Sequence, residues 1–265
     1  MPIAKLGSIE LYYERAGQGV PLLFISGTGG DLRVKPNVFD GPLAKAFDVL
    51  AYDQRGLGRS SKPEVDYSMA DYADDAAALL DHVGWPKAKV IGASFGGMVA
   101  QELVLRHPAK VEKLVLACTS PGGAGGASYP LHEIQHLKGE ERARHMLAIS
   151  DTRLGAAWAA ANPEDYARFV ALVAADAFAG EPGREMGLRR QLAARAGHDT
   201  WDRLQQIRCP ALIAAGRFDG IALPETQHRL AARIAGASLR FFEGGHAFIV
   251  QDRSAIPAMI EFLNG

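Results

Sequence analysis

The sequence predicts an α/β protein: a mostly parallel central sheet with helices on both faces and an inserted helical cap. Three observations carry that reading. Short apolar runs alternate with stretches of helical spacing over residues 1–120 and again over 206–265. The stretch between them, 121–205, carries helical spacing and no strand signal. Finally, Gly92-Ala93-Ser94-Phe95-Gly96 sits where an apolar run passes directly into a helical one. Strands too apolar to face water on either side, joined by helices, belong in a parallel sheet covered on both faces.

Each element has its own justification. Residues 9–13 alternate like an edge strand, and 21–25 are apolar throughout, as a buried strand requires. A short helix over 42–47 precedes a strand over 48–52. Residues 69–83 place apolar side chains at helical intervals, with Ser68 as N-cap and Gly84 as the stop. The strand 89–91 leads into a helix over 98–106 and a strand over 113–117. The rhythm breaks after Thr119. Glycines and Ala124 in 122–126 read as a flexible link, and 129–206 as almost wholly helical. A strand over 211–215, a helix over 224–234, a strand over 238–242 and a helix over 254–263 close the chain. The core is therefore expected in two parts, 1–120 and 206–265, with 121–205 as the cap.

Bulk properties exclude several classes. A net charge of −1 offers no electrostatic footprint for nucleic acid or an acidic membrane surface. No apolar run approaches the roughly 20 residues of a membrane helix, and the first residues lead into a strand rather than a secretory leader. Cys118 and Cys209 read as two free thiols in a reducing compartment, so a cytoplasmic location is expected. A homodimer is left open.

The chemistry centres on Ser94. In a Gly-x-Ser-x-Gly elbow the serine occupies a sharp strand-to-helix turn, and the glycines let two chain segments approach more closely than a Cβ allows. A serine hydroxyl needs a base to take its proton, and the base needs an orienting acid. On such a sheet these arrive after later strands, acid first. Asp219 follows the strand ending at Ala215, and His246 follows the strand ending at Phe242. The other position for an acid, just after Ala117, offers only Thr119 and Ser120. Because the base must be neutral, activity is expected to rise with pH.

Four motifs now stand in order: Gly92-x-Ser94-x-Gly96, the loop Asp53-Gln54-Arg55-Gly56-Leu57-Gly58-Arg59-Ser60, Gly216-x-x-Asp219 and Gly245-His246. With them the chain resembles the α/β-hydrolase superfamily from about residue 9 onward, and its segments around Ser94 and His246 look most like small esterases and the enol-lactonase and aminoacrylate-hydrolase branches. The resemblance implies an α/β-hydrolase fold and a serine hydrolase of small carboxylic esters or lactones, with no metal or organic cofactor. It also implies an oxyanion hole made by the N–H groups of Phe95 and Thr28. Many relatives have His-Gly-x-Gly where this chain has Ser26-Gly27-Thr28-Gly29-Gly30, so Ser26 replaces a histidine.

Rival readings attach to particular residues. The same triad can cleave carbon–carbon bonds or make peracids, as cofactor-free haloperoxidases do, and the same fold can serve as a ligand receptor. Haloalkane dehalogenase and epoxide hydrolase chemistry needs a carboxylate where this chain has Ser94. His132-Glu133-Ile134-Gln135-His136 matches a zinc-peptidase pattern but lacks an evident third ligand, and is read as a polar cap helix. Asp53 to Ser60 is read as a structural loop, with Arg55 in structural hydrogen bonds. Trp158, Phe169, Phe178 and Trp201 are read as cap core. His82, His107, His145, His198 and His228 fall on helices or their ends and read as surface or capping groups, with Asp199 capping a helix.

Overall fold

The structure, a computed structural model, describes residues 2–265. Its strands are β1 (Ile3–Leu6), β2 (Ile9–Ala16), β3 (Pro21–Ile25), β4 (Asp48–Tyr52), β5 (Ala88–Ala93), β6 (Val111–Ala117), β7 (Ala211–Gly216) and β8 (Ser238–Phe242). They form one sheet in the order β1-β2-β4-β3-β5-β6-β7-β8. Only β1 and β2 run antiparallel to their neighbours. From β4 to β8 every pairing is parallel.

Side chains on these parallel strands alternate between two buried faces. Leu23, Leu50, Val90, Leu114 and Ile213 pack toward α2 (Met69–His82) and α3 (Phe95–Arg106). Leu22, Val49, Ile91, Val115 and Leu212 pack on the opposite face with Met259 and Leu263 of α10 (Ala255–Asn264). Helix α2 begins where expected. Ser68 accepts from the Asp71 N–H and Asp71 answers on Ser68, a capping box, and Gly84 ends the turn at φ +76°.

The remaining helices are α1 (Leu43–Ala46), α4 (Gly139–Ser150), α5 (Ala156–Ala161), α6 (Pro163–Ala174), α7 (Arg184–Ala196), α8 (Pro224–Arg233) and α9 (Phe248–Gln251). Those from α4 to α7 lie between β6 and β7, so they interrupt the strand–helix alternation without entering the sheet. None of the helices is long and apolar enough to cross a membrane among the described residues.

Five expectations need correction. The helix after the elbow starts at Phe95 rather than Met98, because Gly96 and Gly97 are part of its first turn. The glycine run is not a loose link. A Cβ on Gly122 would stand 1.9 Å from the His198 carbonyl oxygen, and one on Gly125 would stand 2.2 Å from Trp201. These glycines are there for close packing. Residues 131–136 form turns, not a helix, so His132 and His136 do not share a helical face. His198 is buried, 6% exposed, with neither ring nitrogen hydrogen-bonded. Burial, the largest influence, pushes its imidazole down to about 4.

Asp199 does accept from the Trp201 N–H at 3.0 Å. Trp158 stacks on Phe169 within the insertion, ring centroids 5.8 Å apart, whereas Trp201 packs against the main core.

Candidate active site

Parallel pairing from β3 to β8 aligns the carboxyl ends of those strands along one edge. Ile25 stands opposite Gly92, Ala93 opposite Ala117, and Gly216 opposite Phe242. The loops leaving this edge carry the Ser26 to Gly30 turn, Ser94, Thr119, Asp219 and His246, which is why residues 152 apart in sequence can meet.

Ser94 has φ +54° and ψ −115°, a conformation that L-residues rarely adopt. The flanking glycines make it attainable. A Cβ at Gly92 would lie 2.3 Å from the Gly96 carbonyl oxygen, and one at Gly96 would lie 2.0 Å from the Ile25 carbonyl oxygen. The elbow is pinned by the Ser94 N–H donating to the Ala117 carbonyl at 2.8 Å and by the Thr119 hydroxyl donating to the Ser94 carbonyl at 2.8 Å. Thr119 thus braces the turn at the position where an acid could have stood.

His246 Nε2 lies 2.8 Å from Ser94 Oγ, and His246 Nδ1 lies 2.8 Å from Asp219 Oδ2. The other Asp219 oxygen accepts from the Ile221 and Ala222 N–H groups, both at 2.8 Å. Asp219 is 1% exposed; held by three donors, its carboxylate has one available orientation toward the imidazole. The three residues predicted from sequence form one continuous relay. His246 is further fixed by its backbone N–H, which donates to the Ser150 carbonyl at the end of α4. Gly245 allows that approach, since a Cβ there would stand 2.1 Å from the same oxygen.

Thr28 sits at the second position of a turn closed by the Gly30 N–H donating to the Gly27 carbonyl at 3.1 Å. Gly29 follows at φ +72°, as the third position of a type II turn requires. The turn lies against Ser94: a Cβ at Gly27 would be 3.4 Å from Ser94 Cβ. Neither the Phe95 N–H nor the Thr28 N–H has a hydrogen-bond partner among the described residues, so both backbone donors beside Ser94 are free.

Sequence reasoning missed two glutamines. Gln54 Nε2 donates to the Ser26 carbonyl at 2.8 Å, supporting the turn from the core. Gln191, from α7, accepts the Gly29 N–H at 2.9 Å. Gln54 lies in the Asp53 to Ser60 motif; Gln191 lies in none.

The Asp53 to Ser60 loop is held by its own charges. Buried Asp53 accepts from the Leu32 N–H at 2.7 Å and the Arg59 N–H at 2.9 Å. Arg55 grips buried Asp75 through two hydrogen bonds of 2.7 and 2.8 Å. Neither touches the relay. Cys118, just after β6, is poorly suited to act as a nucleophile: burial first, then the Asp219 charge, pushes its thiol far up. His136 Nδ1 pairs with the Glu133 carbonyl at 3.0 Å. Among the described residues no cluster of three His, Cys, Asp or Glu side chains could hold a metal ion there.

Residues 20–252 match the family model described as alpha/beta hydrolase fold. The chain is 31% identical over 250 residues to a poly(3-hydroxyalkanoate) depolymerase of Ectopseudomonas oleovorans, covering 92% of this chain and 84% of that one. It is 31% identical over 262 residues to a Variovorax paradoxus protein bearing the name carbamate hydrolase RutD, covering 96% of each. Among solved structures, the enol-lactonase of Burkholderia xenovorans superposes with a TM-score of 0.79 at 25% identity, covering all of both chains.

Proposed function

This chain belongs to the alpha/beta hydrolase family, and on that premise we propose that it hydrolyses small carboxylic esters or lactones through an acyl-enzyme on Ser94. The observation that carries the reading is the unbroken relay from Ser94 through His246 to Asp219 at two contacts of 2.8 Å.

In this mechanism Ser94 Oγ attacks the carbonyl carbon while His246 Nε2 takes its proton. Asp219 holds the Nδ1–H tautomer and stabilises the imidazolium. The Phe95 and Thr28 N–H groups receive the oxyanion; losing one such donor typically costs about 2.7–4 kcal/mol of barrier. Collapse of the tetrahedral adduct expels the alcohol, which takes the proton from His246. Water, deprotonated by the same nitrogen, then attacks the acyl-enzyme and releases the acid. Helices α4 to α7 serve as the cap over this edge, residues 121–205. A cytoplasmic location belongs to the same proposal, supported by two cysteines that stay free.

The carbamate hydrolase name carried by a relative favours a second substrate class with the same attack, in which nitrogen flanks the carbonyl. The test is hydrolysis of p-nitrophenyl acetate, butyrate and octanoate, a γ-lactone and a phenyl carbamate by wild type and Ser94→Ala, each with and without a chelator. Chelator-insensitive turnover that disappears in Ser94→Ala is expected. Turnover surviving the substitution would exclude the mechanism.

A further inference from the structure

We propose that Gln191 of α7 is a positioning residue that sets the oxyanion turn, so that seating this inserted helix and assembling the oxyanion hole are one event. The inference rests on the reading of the Thr28 N–H as an oxyanion donor.

The turn is closed on itself, and the residue leading into it is held from the core. The Gly30 N–H closes onto the Gly27 carbonyl, and Gln54 holds the Ser26 carbonyl. Its central peptide, between Thr28 and Gly29, has no such core anchor. The Gly29 N–H has one partner, Gln191 Oε1 at 2.9 Å. Type I and type II turns differ mainly by a flip of this central peptide, and glycine at the third position admits both. Flipping would carry the Gly29 N–H away from Gln191 and reverse a peptide dipole directly beside Thr28, next to the place where negative charge develops.

Helix α7 is built to reach that peptide. Gly187 lies against the Gly56 backbone, where a Cβ would stand 1.9 Å from the Gly56 carbonyl oxygen. Glycine in a helix interior is destabilising relative to alanine, so its presence here reflects the close approach. Residues 187 and 191 are one turn apart on the same face. Between them Leu188 reaches the turn as well, 3.8 Å from where a Gly29 Cβ would be. Arg190 Nη1 donates to the Pro63 carbonyl at 2.7 Å and pins the same helix to the core.

Stability alone does not account for Gln191. It is fully buried and its Nε2 has no hydrogen-bond partner among the described residues, so only half of its amide is satisfied by the protein. That half performs one task, accepting from Gly29.

The experiment compares wild type with Gln191→Met, nearest in shape but lacking the acceptor, with Gln191→Leu, and with Gly187→Ala, which pushes α7 off Gly56. Each is assayed for p-nitrophenyl butyrate kinetics, for phosphonylation rate by a p-nitrophenyl alkylphosphonate, and for Tm. Expected for both Gln191 variants is a kcat about tenfold to a hundredfold lower, a KM within about threefold, and a phosphonylation rate that falls with kcat. Gly187→Ala should show the same split between kcat and KM. Unchanged kcat in folded Gln191→Met, or a loss of Tm with normal kcat per titrated active site, overturns the inference and makes Gln191 structural. A wild type inert to both ester and phosphonate refutes the serine-hydrolase reading itself, and with it the ground on which the inference stands.

Discussion

Replacing Asp219 by asparagine tests the relay at its most buried point. The carboxylate accepts three hydrogen bonds: one from His246 Nδ1–H and two from the Ile221 and Ala222 N–H groups, all at 2.8 Å. An asparagine has one acceptor oxygen and one donor nitrogen in the same outline. Turning its nitrogen toward Ile221 and Ala222 would oppose donors to donors in a site 1% exposed. The oxygen must therefore face those two N–H groups, and the nitrogen must donate to His246 Nδ1. That forces the proton onto Nε2, the atom 2.8 Å from Ser94 Oγ that has to accept one. The expected loss in kcat is on the order of 10⁴-fold, a barrier increase of about 5.5 kcal/mol. KM and Tm should change little, because the shape and both backbone hydrogen bonds survive. Asp219→Ala, which strands all three donors, should lose stability as well. Stopped-flow ester hydrolysis and calorimetry separate the two variants. An asparagine variant retaining more than a tenth of wild-type kcat would refute the reasoning.

Three further outcomes follow from other sites. Gly92→Ala should lose at least about 3 kcal/mol, roughly 6–12 °C in Tm for a chain of this size, because its methyl meets the Gly96 carbonyl 2.3 Å away; a normal melting curve would contradict the packing argument. Arg55→Ala should cost about 3–5 kcal/mol by leaving Asp75 buried and unpaired, measured by urea unfolding. Its kcat per folded molecule should stay near wild type, since the pair does not touch the relay. His198 links stability to pH. Its unfolded imidazole binds a proton near 6.5 and the buried one only near about 4. The unfolded state therefore holds the extra proton between those values, and stability is lost as pH falls through that window. The slope approaches 1.4 kcal/mol per pH unit. Urea titrations at pH 7, 6, 5 and 4 should show that loss in wild type and a shallower one in His198→Leu.

How much was legible depended on whether a residue had neighbours in sequence that explained it. The central strands β3 to β7 could be read because both faces are largely buried, leaving Leu22, Leu23, Ile91 and Val115 in apolar runs, whereas β8 lies at the sheet edge with Ser238 and Arg240 exposed. The relay could be read because each of its residues directly follows a strand. The insertion was far less readable. Its helices are alanine- and arginine-rich with modest apolar faces, so the turns over 131–136 looked no different from helix. Gln191 was invisible for a physical reason. A neutral amide carries no motif, and its partner is the N–H of Gly29, 162 positions away. His198 misled for the opposite reason: beside Asp199 it looked polar, whereas in the fold it is 6% exposed with neither ring nitrogen hydrogen-bonded.

The central claim is that one serine carries the acyl group. Rapid quenching of wild type during turnover of p-nitrophenyl butyrate, followed by peptide mass spectrometry, tests it directly. The account predicts a butyryl adduct on the peptide bearing Ser94, localised to that residue. An adduct on Cys118 or any other side chain, or steady turnover with Ser94 replaced by alanine, would contradict it.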